Sequence, residues 1–488
     1  MQTASTHTDK NLAQRIAGQS VFLFAGFGAA QVCSFARNAI IGHWLSKGDF
    51  GIAATITLLL QLLETMSDLG ADRLIIQADD GDDKTLVGTA HATLIARGVI
   101  TSAMLFLFAA PLSAFFAIPD AKWAFQVASL VPLIKGFMHL DPRRFQRRLE
   151  NRPHLAVETA PQIIALIATI PVLTLFPSYQ AVLWLALMQA ILAVGVSHGF
   201  AERRYHTAWD PTKFWRLFKF GWPIWASAFP LIAVYQGDRI IIGHLLGMEA
   251  LAGYTAAFMT AMVPGLIAGK VGNALMLPLL GRKKHNEQEF RSLYMLLTEA
   301  TVVVAAGYLC VFLIAGEQIL PLAFGENYTG LGTVIAWLAF MWAIRMVQAV
   351  PGMALMANGE TRPLLVAGII RAAGIVFVLW AATQGYGLAG IAAAGCGAEL
   401  ASLLYITLRV GRDRQNMKTG FLARTSLLMA VAAGALFTSH LIGAQSAMAV
   451  ISQTIAIAMV VCSLLLCVLP LGRLTWSKLQ TLRNTATS

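Results

Sequence analysis

The sequence predicts an all-α polytopic membrane protein of about fourteen transmembrane helices, and three observations lead there. Only 12% of the 488 residues are charged while 57% are hydrophobic, too few polar side chains to cover the surface of water-soluble domains of this length. Apolar runs of about 20 residues recur from Ser20 to Leu469, each long enough to cross ~30 Å of hydrocarbon. The basic residues alternate between loops in the manner of a protein threaded repeatedly through a bilayer.

In the first half, spans are expected at Ser20 to Ile41, Gly51 to Leu69, Val87 to Ala110, Trp123 to Leu140, Leu155 to Leu175 and Ala181 to Phe200. The second half gives Phe220 to Leu246, Leu251 to Leu277, Leu293 to Ala315, Val334 to Met356, Leu364 to Ala382 and Leu388 to Leu408, the last two divided by a short loop at Gln384 to Gly387. Two more follow, at Leu422 to Leu441 and Ala447 to Leu469. Prolines in or beside these runs, at Pro132, Pro161, Pro171, Pro223, Pro230, Pro264, Pro278 and Pro351, remove backbone donors and predict bends, most of them static.

A net charge of +11 raises nucleic acid or anionic lipid as a partner, and the placement of the charge decides against nucleic acid. With the N-terminus in the cytoplasm, nearly all loop and tail Lys and Arg fall on the cytoplasmic side, and only Lys47 and Lys122 fall outside. That bias predicts both termini in the cytoplasm. The acidic stretch Asp79, Asp80, Asp82, Asp83 lies on the same side, but carboxylates weigh little in orientation. The clusters Arg143, Arg144, Arg147, Arg148 and Arg282, Lys283, Lys284 read as topogenic, interfacial charge rather than a specific headgroup site. Cys33, Cys310, Cys396, Cys462 and Cys467 all fall in spans, without metal or redox spacing, and are expected as free thiols. The first apolar run is too long for a signal-peptide core and is expected to remain in the mature protein.

The halves resemble each other. Gly42-His43-Trp44-Leu45 with Gly51 downstream is matched by Gly243-His244-Leu245-Leu246 with Gly253 downstream, and Arg37 and Arg239 precede the two Gly-His pairs. Pro111 and Pro321, Lys135 and Arg345, Arg152 and Arg362, and Pro153 and Pro363 follow at one offset of 210 residues. Six helices separate the copies, an even number, so the repeat is parallel, about an axis along the membrane normal. The expected organisation is an N-lobe at 1–217 with helices one to six, a C-lobe at 218–420 with helices seven to twelve, and residues 421–488 with two further helices and a cytoplasmic tail. Two such lobes are expected to meet at a central cavity that opens to either face.

Seven bases fall inside spans: Arg37, Arg97, Lys135, Arg239, Lys270, Arg345 and Arg371. A Lys or Arg at a helix centre costs ~2.5 to 3.5 kcal/mol on insertion scales, so each is expected to face a cavity, meet a carboxylate or snorkel. Lys135 is the one best placed to snorkel. Acids are fewer: Glu64 and Asp68 in the second span, Asp238 in the seventh, Glu399 in the twelfth, with Glu158 and Glu299 near cytoplasmic ends. A net-positive cavity suits a multiply charged anion such as phosphate or pyrophosphate, because guanidinium forks pair with phosphate oxygens. Asp238 and Glu399 are the candidates for an ion-coupling site, with structural pairing to a neighbouring Arg the competing role.

Enzyme motifs are absent. Gly265-Leu266-Ile267-Ala268-Gly269-Lys270 imitates a phosphate loop but is one residue short, lacks the following Ser or Thr and lies in a span. No HExxH, GxSxG or paired-Cys pattern occurs, so no catalytic residue, metal or cofactor is expected. Asn327-Tyr328-Thr329 is an acceptor sequon of the kind that arises by chance.

Leu45-Ser46-Lys47-Gly48-Asp49-Phe50-Gly51 followed by Asp68-Leu69-Gly70, and Phe218-Lys219-Phe220-Gly221-Trp222-Pro223 followed by Gln236-Gly237-Asp238-Arg239, Gly243 and Ala252-Gly253-Tyr254, resemble the oligosaccharide flippases of the polysaccharide transporter family. The resemblance spans roughly Leu12 to Leu408. It implies membership of the multidrug, oligosaccharidyl-lipid and polysaccharide exporter superfamily, with two lobes and twelve or fourteen helices. It also implies a bacterial inner-membrane flippase that moves polyprenyl-pyrophosphate-linked sugar repeat units outward for O-antigen, exopolysaccharide or capsule synthesis. Its partners would be the lipid-linked oligosaccharide, membrane lipids, and a polysaccharide polymerase and export machinery. In that reading Arg37, Arg97, Arg239, Arg345 and Arg371, with Lys135 and Lys270, attract the pyrophosphate and sugar acids. A peptidoglycan-precursor flippase is the second reading and a membrane-embedded polymerase or ligase the third, the latter lacking the long outer loop with Arg and His that such enzymes use. A drug or cation antiporter of the same superfamily calls for an acidic cavity, which the charge census opposes.

Overall fold

A computed structural model describes residues 26–148, 150–410, 415–441 and 447–468. The start of the first expected span, the polar segment before it, the tail after 468 and the Cys467 side chain lie outside the described residues. Among the described residues every regular element is helical. In chain order they are α1 (26–44), α2 (Lys47–Met66), α3 (Ala71–Gln77), α4 (Lys84–Leu107), α5 (Ala109–Phe115), α6 (Lys122–Ala128), α7 (Leu130–Lys135), α8 (Asp141–Arg147), α9 (Arg152–Leu175) and α10 (Gln180–Gly199). Then follow α11 (Pro211–Tyr235), α12 (Gly237–Leu245), α13 (Met248–Lys283), α14 (Glu287–Phe324), α15 (Gly332–Ala357), α16 (Arg362–Ala373), α17 (Ile375–Thr383), α18 (Gly387–Val410), α19 (Gln415–Leu441) and α20 (Ala447–Val468).

Ten helical stretches are long and apolar enough to cross a membrane: α2, α4, α9, α10, α11, the first part of α13, α14, α15, α16 with α17, and α18. The other expected spans correspond to α1, the α6–α7 pair, α19 and α20, so the helices accommodate the expected fourteen. This is a multi-pass membrane protein.

Local sequence explains where the helices begin and break. Ser46 caps α2 by accepting the Asp49 N–H, and Asp83 caps α4 by accepting from Thr85 and Leu86. Asp210 caps α11 just before Pro211, where the missing proline N–H is one the helix leaves unbonded anyway. The Gln384–Gly387 loop does divide two helices: Gly385 and Gly387 sit at φ 75° and 66°, which a side chain disfavours. Four expected spans are less continuous than apolarity suggests, the third breaking at Phe108 between α4 and α5. The fourth breaks at Ser129 and ends its helix at Lys135, the seventh breaks at Gln236 between α11 and α12, and the eleventh breaks at Gly374. The second stops at Met66, which leaves Asp68 beyond its helix.

The chain divides into two compact units, Met1–Ala252 and Gly253–Ser488, with the boundary inside α13. In the first, α9 packs along α10, α4 and α10 flank α7, and α11 lies against α2, α3 and α4. The approach of α11 to the α2–α3 turn is so close that a Cβ on Gly221 would collide with the Leu69 carbonyl. A core of Ile56, Leu58, Leu105, Phe116, Phe125 and Leu183 fills this unit. In the second unit α14 is the centre, with α15, α19 and α20 against it, while α18 packs on α15, α16 and α17. The last two helices, outside the repeat, thus cover α14.

Candidate functional site

In the second unit, Arg345 and Glu399 near the middle of α15 and α18 meet Arg371 from the last turn of α16. Arg345 donates to Glu399 Oε1 from Nε at 2.8 Å and lies 2.7 Å from it through Nη2, while Arg371 Nε stands 3.0 and 2.9 Å from the two carboxylate oxygens. Glu399 is 2% exposed, so one buried carboxylate serves two guanidiniums and leaves the group net positive. The Arg345 guanidinium also lies 4.8 Å over the Trp342 ring. One turn further, Gln348 donates to Ser402 at 2.8 Å, tying α15 to α18 a second time.

The first unit distributes its bases differently. Lys135 meets Glu64 at 2.9 Å, so the base best placed to snorkel has an acid partner. Arg97 donates to the Glu64 carbonyl at 2.7 Å and to Ser67 Oγ at 2.8 Å, and stands 3.8 Å from Asp68. It thereby holds the end of α2 against α4. Arg37, on α1, donates at 3.1 Å to Gln162 Oε1, the oxygen that also accepts from Gln189 at 3.1 Å. Among the described residues no carboxylate comes within ion-pair distance of Arg37. Buried Arg239 donates to the Tyr235 carbonyl at 2.6 Å across the α11–α12 break, and its own N–H goes to Asp238 Oδ1 at 2.8 Å. Adjacent Asp238 and Arg239 thus meet through the Arg239 backbone N–H. In the second unit, Lys270 is exposed on α13, the helix that contains the discarded Gly265–Lys270 imitation.

Sequence reasoning missed the amides. Gln162 and Gln189 are neutral and drew no attention in a search for charge. Yet Gln189 and Glu399 stand at the same 210-residue offset as Lys135 and Arg345, and Gln162 and Arg371 fall one residue out of that register. The helices agree: Arg152-Pro153 opens α9 as Arg362-Pro363 opens α16.

It also read the basic cluster after the fourth span as diffuse charge, whereas the structure uses it as a clamp. Arg144 reaches both Asp82 and Asp141, and Arg147 Nη1 caps the carbonyls of Ile75 and Ala78 at the end of α3. Lys213 and Arg216 bind Asp80 at 3.1 and 2.7 Å, and Lys213 also reaches Asp83. The hydrogen bond from Arg216 holds the Asp80 carboxyl below the ordinary carboxylate range, and that from Arg144 does the same for Asp82. The segment after α10 is strapped to this end as well. Asp141 accepts the N–H groups of Glu202 and Arg203, His139 Nε2 donates to the Arg203 carbonyl at 3.1 Å, and His91 Nδ1 donates to that of His206 at 3.0 Å. Both rings use their other nitrogen to accept a backbone N–H, from Asp141 and Leu140, which fixes each as neutral.

Residues 40–333 match the family described as polysaccharide biosynthesis protein. The chain belongs to that family. Similar proteins include the succinoglycan biosynthesis transport protein ExoT of Rhizobium meliloti, 22% identical over 62% of this chain and 62% of its own length. The chain therefore spans less than two thirds of that relative. The teichuronic acid biosynthesis protein TuaB of Bacillus subtilis is 20% identical over 67% and 68% of the two chains, and the lipopolysaccharide biosynthesis protein WzxC of Escherichia coli 20% over 69% and 68%. Among solved structures, the lipid II flippase MurJ in an inward closed conformation superposes with a TM-score of 0.71 over 91% of this chain and 98% of its own, at 12% identity. An inward-facing multidrug transporter of the MATE family gives 0.58 over 84% and 94%, at 13% identity. At these identities the likeness establishes a shared fold.

Proposed function

We propose that the protein is a flippase that carries polyprenyl-diphosphate-linked oligosaccharide repeat units from the cytoplasmic to the periplasmic leaflet of a bacterial inner membrane, by alternating access, for surface-polysaccharide synthesis. The family match carries this reading, and the relatives named for transport or biosynthesis of succinoglycan, teichuronic acid and lipopolysaccharide support it. The side chains fit such a cargo: bases outnumber acids within the spans, and among the described residues Arg37 has a neutral amide as its side-chain partner. In this reading Arg37, Arg97, Arg239, Arg345 and Arg371, with Lys135 and Lys270, provide the positive field that attracts the diphosphate, and Asp238 or Glu399 couples transport to an ion. In this reading the repeat defines lobes at 1–217 and 218–420 followed by two further helices, with both termini in the cytoplasm. The protein acts as a carrier, not an enzyme, and works beside a polysaccharide polymerase and export machinery.

The test is surface-polysaccharide export in a strain lacking the gene, complemented at equal membrane levels with wild type, Arg37→Ala, Arg239→Ala or Arg282→Ala. Export restored by wild type and Arg282→Ala, with lipid-linked repeat units accumulating in the Arg37 and Arg239 variants, supports the reading. Unimpaired polysaccharide in the deletion strain itself rejects it.

A further inference from the structure

Each unit holds one polar hub within a helix pair that opens with Arg-Pro, and the two hubs differ in one decisive way. In unit 2 the α18 residue is an acid, Glu399, within 3.0 Å of both Arg345 and Arg371. In unit 1 the residue at the same repeat position on α10 is an amide, Gln189. Gln189 and Arg37 donate to one oxygen of Gln162, and the other donors of Arg37 and the Gln162 NH2 group make no further bond among the described residues. All three side chains belong to half-buried residues, so an entering group can touch them.

The chemistry follows from that inventory. Two amides and a guanidinium supply only donors once the Gln162 and Gln189 carbonyls are set aside, and no carboxylate is present to repel an anion or to occupy Arg37. A cation inside a span is costly to insert, and an oxyanion arriving from the membrane would offset that cost. Its donors are fixed in advance by the shared Gln162 oxygen, so little ordering remains when the ligand binds. The C-unit hub is internally neutralised to a greater degree, with a carboxylate between its two guanidiniums.

We propose that Arg37, Gln162 and Gln189 form the oxyanion subsite that holds the diphosphate of the lipid-linked cargo, and that the amide at position 189, where the repeat has an acid, keeps this subsite open. The proposal rests on the flippase reading above. Gln162 and Gln189 orient Arg37 and donate to the phosphate oxygens, while the C-unit hub, closed by Glu399, ties α15, α16 and α18 together.

The experiment uses the full chain in lipid nanodiscs and measures binding of a polyprenyl diphosphate and of the uncharged polyprenol of equal length. Wild type should prefer the diphosphate. Gln162→Glu and Gln189→Glu each bring a carboxylate within reach of Arg37. These variants should lose about ten- to a hundredfold in diphosphate affinity, the worth of one or two charge-assisted bonds, and leave polyprenol binding unchanged. Their melting temperatures should equal or exceed that of wild type, since Arg37 gains an ion pair, and Gln189→Asn should keep most of the preference. Folded Glu variants that bind the diphosphate as wild type does would overturn the subsite and leave the flippase reading standing. A wild type with no preference for the diphosphate would overturn both.

Discussion

Glu399 shows how one side chain decides the behaviour of several. Two guanidiniums converge on a carboxylate that is 2% exposed, and replacing it with Gln removes the charge both of them bind. Breaking a buried pair in this manner costs about 3 to 5 kcal/mol. Glu399→Gln should therefore lower the melting temperature of the purified protein markedly, whereas removing all three charges together, as Arg345→Met, Arg371→Met and Glu399→Gln, should recover much of the loss. A second residue-scale prediction concerns Gly221, which has no room for a methyl against the Leu69 carbonyl. Gly221→Ala must push α11 off the α2–α3 turn, and its membrane level at equal expression should fall well below that of Gly199→Ala, where the added methyl meets open space. The charged members of these sites were visible in the sequence because charge inside an apolar run is conspicuous. Gln162 and Gln189 were not, because a neutral amide departs little from its surroundings until the structure shows it bonded to Arg37.

Elements are held as much by their ends as by their apolar faces. The loop between α3 and α4 is anchored by Arg144, Arg147, Lys213 and Arg216, which come from α8 and α11, and the segment leading into α11 is fastened by Asp141, His91 and His139. The Asp80 and Asp82 carboxyls titrate below their unfolded value because Arg216 and Arg144 bind their charged forms. Such bonds contribute stability that is complete above the unfolded pKa of about 4 and is lost as pH falls through the lower folded value. Melting temperature should thus drop as pH falls below about 4, and Asp82→Asn should start lower at neutral pH and show a shallower drop. An equal slope in wild type and variant would assign the acid sensitivity to other groups. The breaks at Phe108, Ser129, Gln236 and Gly374 were not legible as interruptions, because hydropathy reads composition over some 20 residues and a backbone break of one residue leaves composition unchanged. The Gln384–Gly387 loop was legible, since two glycines at positive φ carry their own conformational signal.

At the scale of the whole molecule, the apolar runs made the all-helical, multi-pass architecture readable in advance. A span must be about 20 residues and mostly apolar wherever it sits, so lipid imposes the pattern on the sequence directly. The division into units was harder to place, because α11 begins the second copy of the repeat yet packs on α2, α3 and α4 of the first. Orientation remains a proposal with a direct check. In a cysteine-free background, Lys122→Cys should react with a membrane-impermeant thiol reagent applied to spheroplasts, and Lys284→Cys should react only after the membrane is opened. The reverse pattern would invert the topology and with it the direction of transport. The central claim is that this chain moves a lipid-linked oligosaccharide between leaflets, and its most direct test is transport by the purified protein in proteoliposomes. A polyprenyl-diphosphate oligosaccharide placed in one leaflet is followed by its accessibility to an external glycosidase. Transfer well above that of protein-free vesicles, lost in Arg37→Ala, is the predicted result; folded wild-type protein that leaves transfer at the protein-free rate, under every ion gradient applied, would contradict the account.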